Sequence, residues 1–164
     1  MNLRNLCLAA ASGTVGGLAA ALYLPLISVL FPAQVMPMDA IILGTIRWPG
    51  VAVGLAEHLL VSALGALAFY GAVSVLRYSA RDPIGKYLGM TMAYVLGFYV
   101  ALFLPSFNAY ASAHPVPGYS LPALLAQGLI FTLIYCLVTA ATMLGILYSR
   151  QDGGGGPGRY SAGL

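Results

Sequence analysis

The chain has 164 residues, of which 60% are hydrophobic and only 7% are charged. Soluble domains carry about 25% charged residues, so this composition excludes an ordinary soluble domain and indicates a membrane protein. The net charge of +3 comes from seven Lys and Arg residues that are scattered at the ends of apolar runs. They do not form the basic patch that nucleic-acid binding requires, so we expect the lipid bilayer, and no nucleic acid, as a partner.

Four apolar segments are predicted to be membrane-spanning helices within a domain of residues 1–150. The segments cover residues about 6–31, 51–76, 84–104 and 121–148, and each reaches the roughly 20 residues that cross a bilayer. Their apolar runs are unbroken, whereas the strands of a membrane β-barrel alternate apolar and polar side chains over about ten residues. The sequence therefore predicts an all-α, polytopic bundle of four transmembrane helices. The Gly-rich segment 151–164 is expected to be a disordered cytoplasmic tail.

The basic residues predict how the bundle is oriented. Membrane proteins concentrate Lys and Arg in their cytoplasmic loops. Only Arg47 falls on one side of the predicted spans, so both termini are expected to be cytoplasmic and the loops 32–50 and 105–120 to face outward across the cell membrane. The residues on the other side are Arg4, Arg77, Arg81, Lys86, Arg150 and Arg159.

Each predicted helix carries small residues at every fourth position. Lipid provides no hydrophobic drive between helices, so close backbone approach along such stripes supplies the packing. The stripes suffice for a self-contained bundle, and a leftover face would serve oligomerisation or docking on other membrane subunits. The longest run is Gly85, Gly89, Ala93, Gly97 and Ala101 on the third span. The other glycines predicted to pack are Gly13 and Gly17 on the first span, Gly50 and Gly54 on the second, and Gly128 on the fourth.

Glu57 is the only acidic residue inside a predicted span, and His58 follows it. Ionisable groups at such depth are costly and usually face the bundle interior or a water-filled cavity. One hypothesis makes Glu57 a proton or cation carrier; the alternative is that it pairs with Arg47 or His58 or reaches the outer interface. Tyr99 and Gln127 lie at a comparable depth, so Glu57, His58, Tyr99 and Gln127 are candidates for one intramembrane polar cluster.

Cofactor and catalytic sites have little support in the sequence. An interior histidine such as His58 is most often a hydrogen-bonded structural residue, and the only other histidine is His114 in an outer loop. Haem ligation by this pair is the minor alternative to our expectation of no cofactor. Cys7 and Cys136 lack CxxC spacing and a histidine neighbour, which argues against a metal site. No Ser–His–acid, HExxH or paired-carboxylate pattern occurs, so we expect no enzymatic activity.

These observations favour a small non-enzymatic integral membrane protein. The leading hypothesis is an accessory or docking subunit of a larger transport or respiratory complex in the membrane. The second is a small oligomeric transporter or channel that couples to protons or cations through Glu57. The third is a haem- or quinone-binding membrane subunit that uses His58 and His114.

Overall fold

The computed structural model describes residues 3–30, 51–78, 82–106, 108 and 121–153. These residues are almost entirely helical and include no strand, which confirms the predicted all-α class. The helices are α1 (Leu3–Leu30), α2 (Val51–Val75), α3 (Ile84–Phe98) with a π-helical turn at Tyr99–Phe103, and α4 (Leu121–Gly153). Each of these four regions is long and apolar enough to cross a membrane.

Several predictions fall outside the described residues. Because α4 extends to Gly153, the first three residues assigned to the tail belong to this helix, and residues 154–164 are not described. The loop residues with predicted roles that lie outside the described part of the chain are Arg47, Gly50, Arg81 and His114, together with Arg159 in the tail.

Helix α1 packs closely against both α2 and α4. Small residues on α1 make this possible, since Gly13 faces the Ser62 carbonyl on α2 and Gly16 faces the Thr139 hydroxyl on α4. Ala9, Ala20 and Ala21 on the same helix are also buried. Tight packing against small residues is the expected way to hold helices together in lipid.

Helix α3 packs on α4 through larger side chains. Its buried residues are Tyr87, Thr91 and Val95, which follow one another at four-residue intervals on a single face. The Tyr87 hydroxyl donates a 2.7 Å hydrogen bond to the Ala140 carbonyl on α4. By contrast, α3 makes few contacts with α2, although the two helices are joined by a short connection.

The π-helical turn at the end of α3 changes which side chains face α4. The Leu104 amide donates to the Tyr99 carbonyl, five residues earlier, and the chain then continues as helix to Ser106. The Tyr99 hydroxyl donates to the Leu125 carbonyl at 3.0 Å, and the Phe103 ring lies directly against Gly128. The extra residue in this turn thus places two aromatic side chains on α4.

The end of α2 is closed by a Schellman motif with an arginine in the left-handed position. Arg77 has a φ of 49°. Its amide donates to the Ser74 carbonyl at 3.2 Å, and the Tyr78 amide donates to the Val73 carbonyl at 3.1 Å. Glycine is usual at this position because it has no Cβ to clash.

Candidate functional site

Two hydrogen-bonded tyrosines, one buried and one half-buried, connect three helices of the bundle. The Tyr135 hydroxyl on α4 donates to the Ser62 carbonyl on α2 at 2.6 Å. Tyr94 on α3 lies 2.6 Å from Tyr135, hydroxyl to hydroxyl. Because Tyr135 has only one hydroxyl proton and gives it to Ser62, Tyr94 is the donor in the second bond. We call Tyr94, Tyr135 and the Ser62 carbonyl the tyrosine relay. Its two hydrogen bonds satisfy polar groups that would have no hydrogen-bond partner in lipid.

His58 is part of the helix packing. Its Nε2 atom lies 2.9 Å from the Gly17 carbonyl on α1, which requires the tautomer with a proton on Nε2. Its ring is 5.2 Å from that of Phe131 on α4, centroid to centroid. The histidine therefore joins α2 to α1 and touches α4, as the structural interpretation of this residue expects.

The other candidates for the polar cluster are held in different ways. Tyr99 donates a hydrogen bond to a backbone carbonyl of α4. The described hydrogen bonds of Tyr99 and His58 therefore do not join them to each other, to Glu57 or to Gln127. Glu57 is half-buried on α2, and its Oε2 atom is buried with no hydrogen-bond partner among the described residues. Gln127 is half-buried on α4, beside Gly128. A single cluster of all four side chains remains a prediction.

The described residues contain no metal centre. Among them, no group of three or more His, Cys, Asp or Glu side chains is placed to hold a metal ion. Cys7 and Cys136 are both free thiols, the first exposed and the second buried.

Some of the glycines predicted to pack do so within this chain. A Cβ added to Gly13 or Gly17 would overlap Ser62, and one added to Gly128 would overlap the Phe103 ring. Gly54 is also buried on α2. At Gly13 the overlap involves the backbone of α2, so a larger residue fits there only if that helix moves.

The small residues of the α3 stripe have different surroundings from Gly13, Gly17 and Gly128. A Cβ added to Gly85, Gly89 or Gly97 would meet nothing within 4 Å, and Ala93 and Ala101 are exposed as well. Within the described part of the chain, this stripe does not make the expected packing contacts, because α3 turns its aromatic and β-branched face toward α4. The longest small-residue stripe in the chain is thus an open face.

This open face forms one wall of a groove between α2 and α3. The groove has a volume of about 860 Å³ and is almost entirely apolar. The Phe69 and Tyr94 rings stack at 4.6 Å between the two helices and line it. Among the described residues that line it, Lys86 is the one that carries a charge. We refer to it as the α2–α3 groove; its small lining residues are Gly65, Ala68 and Ala72 on α2 and Gly89, Ala93, Gly97 and Ala101 on α3.

Sequence reasoning missed the role of Tyr94 and the orientation of α3. A tyrosine inside an apolar span needs a partner for its hydroxyl, and Tyr94, Tyr87 and Tyr135 all carried that signal. The orientation had no such signal, because α3 has both a small-residue face and an aromatic face, and either can pack on a neighbouring helix.

Comparison with known proteins finds no family model, no curated protein and no solved structure that matches this chain.

Proposed function

We propose that this protein is a non-enzymatic subunit of a larger membrane assembly and that the α2–α3 groove is its docking surface. The observation that carries the proposal is the exposure of the whole small-residue stripe of α3 beside that groove. Faces that meet only lipid have no need of small residues, whereas faces that meet another helix are enriched in them. The occupant is therefore a transmembrane helix with a ridge of larger apolar side chains.

A comparison of two glycine-to-leucine variants tests this proposal. Gly97 lies in the groove and Gly145 lies on α4, and an added Cβ meets nothing within 4 Å at either position. Both variants should therefore fold, but only Gly97→Leu fills the groove. After purification in mild detergent, we expect other membrane subunits to accompany the wild type and Gly145→Leu stoichiometrically, and to be lost from Gly97→Leu.

The same purification can contradict the proposal. Recovery of the wild type without other subunits would overturn the accessory role. Equal recovery of other subunits with both variants would show that docking occurs, but elsewhere on the molecule.

We also propose that both termini and the α2–α3 connection lie in the cytoplasm and that the protein resides in the cell membrane. The distribution of Lys and Arg supports this orientation. With Cys7 replaced by Ser, a membrane-impermeant maleimide should label Asn108→Cys in intact cells and Pro83→Cys only after permeabilisation. The reverse pattern would invert the topology.

Proton- or cation-coupled transport through Glu57 is a second candidate function. It is favoured by the buried Oε2 atom, which has no hydrogen-bond partner among the described residues. In reconstituted vesicles, proton-coupled flux should be lost in Glu57→Gln and kept in His58→Gln, which retains a donor for the Gly17 carbonyl. If vesicles with the wild-type protein show the same flux as protein-free vesicles, this candidate function is excluded.

A further inference from the structure

The open face of α3 has a second regularity beside its small residues. Each small residue directly follows a larger aliphatic one, and the pairs recur every four residues along the helix. Residues four apart lie on nearly the same side of an α-helix, so the pairs form a ridge of large side chains next to a furrow of small ones. The pairs are Ile84–Gly85, Leu88–Gly89, Met92–Ala93, Leu96–Gly97 and Val100–Ala101.

Among the described residues, neither the ridge nor the furrow is packed against another helix of the bundle. Leu88, Leu96 and Val100 on the ridge are 52%, 62% and 59% exposed, and the furrow residues are exposed as well. From residue 84 to residue 101 the pattern runs for about 25 Å at a rise of about 1.5 Å per residue. It therefore covers most of the roughly 30 Å of hydrocarbon that a helix crosses.

A ridge beside a furrow of equal period is complementary to an identical copy of itself. Two copies in one membrane share their orientation, so a two-fold axis along the membrane normal sets their α3 helices parallel and brings equal residues to equal depth. In the right-handed crossing of small-xxx-small helix pairs, the ridge of each helix fits the furrow of the other. Leu96 of each copy then lies against Gly97 of the other.

The charged residues at the start of α3 fit the same arrangement. Lys86 Nζ lies 3.4 Å from Asp82 Oδ2, and both side chains are partly exposed. In each copy the charge of Lys86 is therefore balanced by Asp82. The two Lys86 side chains can then lie near the two-fold axis without repelling each other strongly. Asp82 of either copy can also pair with Lys86 of the other, which makes this end of the groove self-complementary in charge.

We propose that the helix that occupies the α2–α3 groove is α3 of a second copy of this chain. The inference rests on the proposed function, since it identifies the partner at the same docking surface. It makes a parallel, two-fold dimer the unit that other subunits bind, so Gly97→Leu, which blocks the dimer, also releases those subunits.

Disulfide cross-linking in native membranes tests the dimer. Cys7 is exposed and is replaced by Ser, whereas Cys136 is buried and is retained. Gly97→Cys places a thiol in the furrow of α3. Leu18→Cys is the control, because Leu18 is exposed but lies on α1. Both lie about 20 Å along their helices from the same predicted side of the membrane. With oxidant, Gly97→Cys should give a band at twice the chain's 17.0 kDa, and Leu18→Cys should not.

Mixed expression checks the register. In cells that contain differently tagged Gly97→Cys and Gly89→Cys chains, disulfides should join position 97 to 97 and position 89 to 89. The mixed pair should be absent, because eight residues separate the two thiols by about 12 Å in depth. Cross-linking without this selectivity would indicate random collision and overturn the proposal.

The outcomes separate this inference from the proposed function. A cross-linked dimer purified without other subunits would support the inference and overturn the accessory role. If the 97–97 and 89–89 disulfides do not form but Gly97→Leu still releases other subunits, the inference is overturned and the docking role stands. Neither a dimer nor an associated subunit would overturn both.

Discussion

Gly16 and Gly145 have opposite surroundings in this chain. Gly16 is buried between α1 and α4, where an added Cβ would overlap the Thr139 hydroxyl and lie 2.7 Å from the Tyr135 carbonyl oxygen. Gly145 is exposed on α4, and an added Cβ would meet nothing within 4 Å. The same substitution should therefore change stability in different directions at the two sites.

We predict that Gly16→Ala lowers the free energy of unfolding by about 1–3 kcal/mol, because a backbone carbonyl cannot move aside without shifting α4. Gly145→Ala should be neutral or stabilising by up to about 1 kcal/mol, since alanine favours the helix. Reversible unfolding in mixed micelles of mild detergent and SDS measures both values. Equal effects at the two sites would contradict the close packing of α1 on α4.

The tyrosine relay predicts an asymmetry between its two members. Tyr135→Phe removes the bond to the Ser62 carbonyl and leaves the Tyr94 hydroxyl without its acceptor, whereas Tyr94→Phe leaves the Tyr135 bond intact. Hydrogen bonds between membrane helices average about 0.6 kcal/mol, with values up to about 1.7 kcal/mol. We expect Tyr135→Phe to cost about 1–2 kcal/mol and Tyr94→Phe clearly less in the same unfolding measurement.

A double mutant checks the direction of the relay. Once Tyr135 is Phe, the hydroxyl of Tyr94 has lost its described acceptor, so adding Tyr94→Phe should cost nothing further or should recover stability. Equal and additive costs for the two substitutions would show that the hydroxyls do not act as a chain.

The elements of the fold follow from the sequence to different degrees. The four apolar helices were predictable because hydropathy and length alone set them, and the structure contains them. The rotation of α3 was not predictable, since it depends on how Tyr87 and Val95 fit against α4, which also packs on α1. The π-helical turn has no signal in the sequence that we could identify.

The π-helical turn yields a prediction about how α3 meets α4. Gly128→Ala should lower the free energy of unfolding by about 1–3 kcal/mol, because its Cβ would overlap the Phe103 ring. In a Phe103→Ala background the same change should cost about 0.5 kcal/mol or less, since the obstructing ring is gone.

Gly145→Ala is the matched control for this cycle, because an added Cβ there meets nothing within 4 Å and Gly145 lies outside the α2–α3 groove. It should leave stability unchanged or raise it by up to about 1 kcal/mol in both backgrounds. A full penalty for Gly128→Ala without the Phe103 ring would contradict the described contact.

At the scale of the whole molecule, small residues pack between helices on α1 but are exposed on α3. Helix α1 uses its small residues to hold the bundle together, whereas α3 carries the longest small-residue stripe and leaves it exposed. The sequence predicted the stripes and allowed for a leftover face, but it could not identify that face. The polar cluster stays a prediction, and the hydrogen bonds of His58 and Tyr99 to backbone carbonyls on other helices had no signal in the sequence.

The central claim is that the open face of α3 is covered by another helix in the native membrane. The most direct test is the native mass of the particle extracted from that membrane with its surrounding lipid, for the wild type, Gly89→Leu/Gly97→Leu and Gly145→Leu. We predict a particle of at least two chains for the wild type and Gly145→Leu, and a single chain for the groove variant. A single chain in all three, or an unchanged mass in the groove variant, would contradict the account.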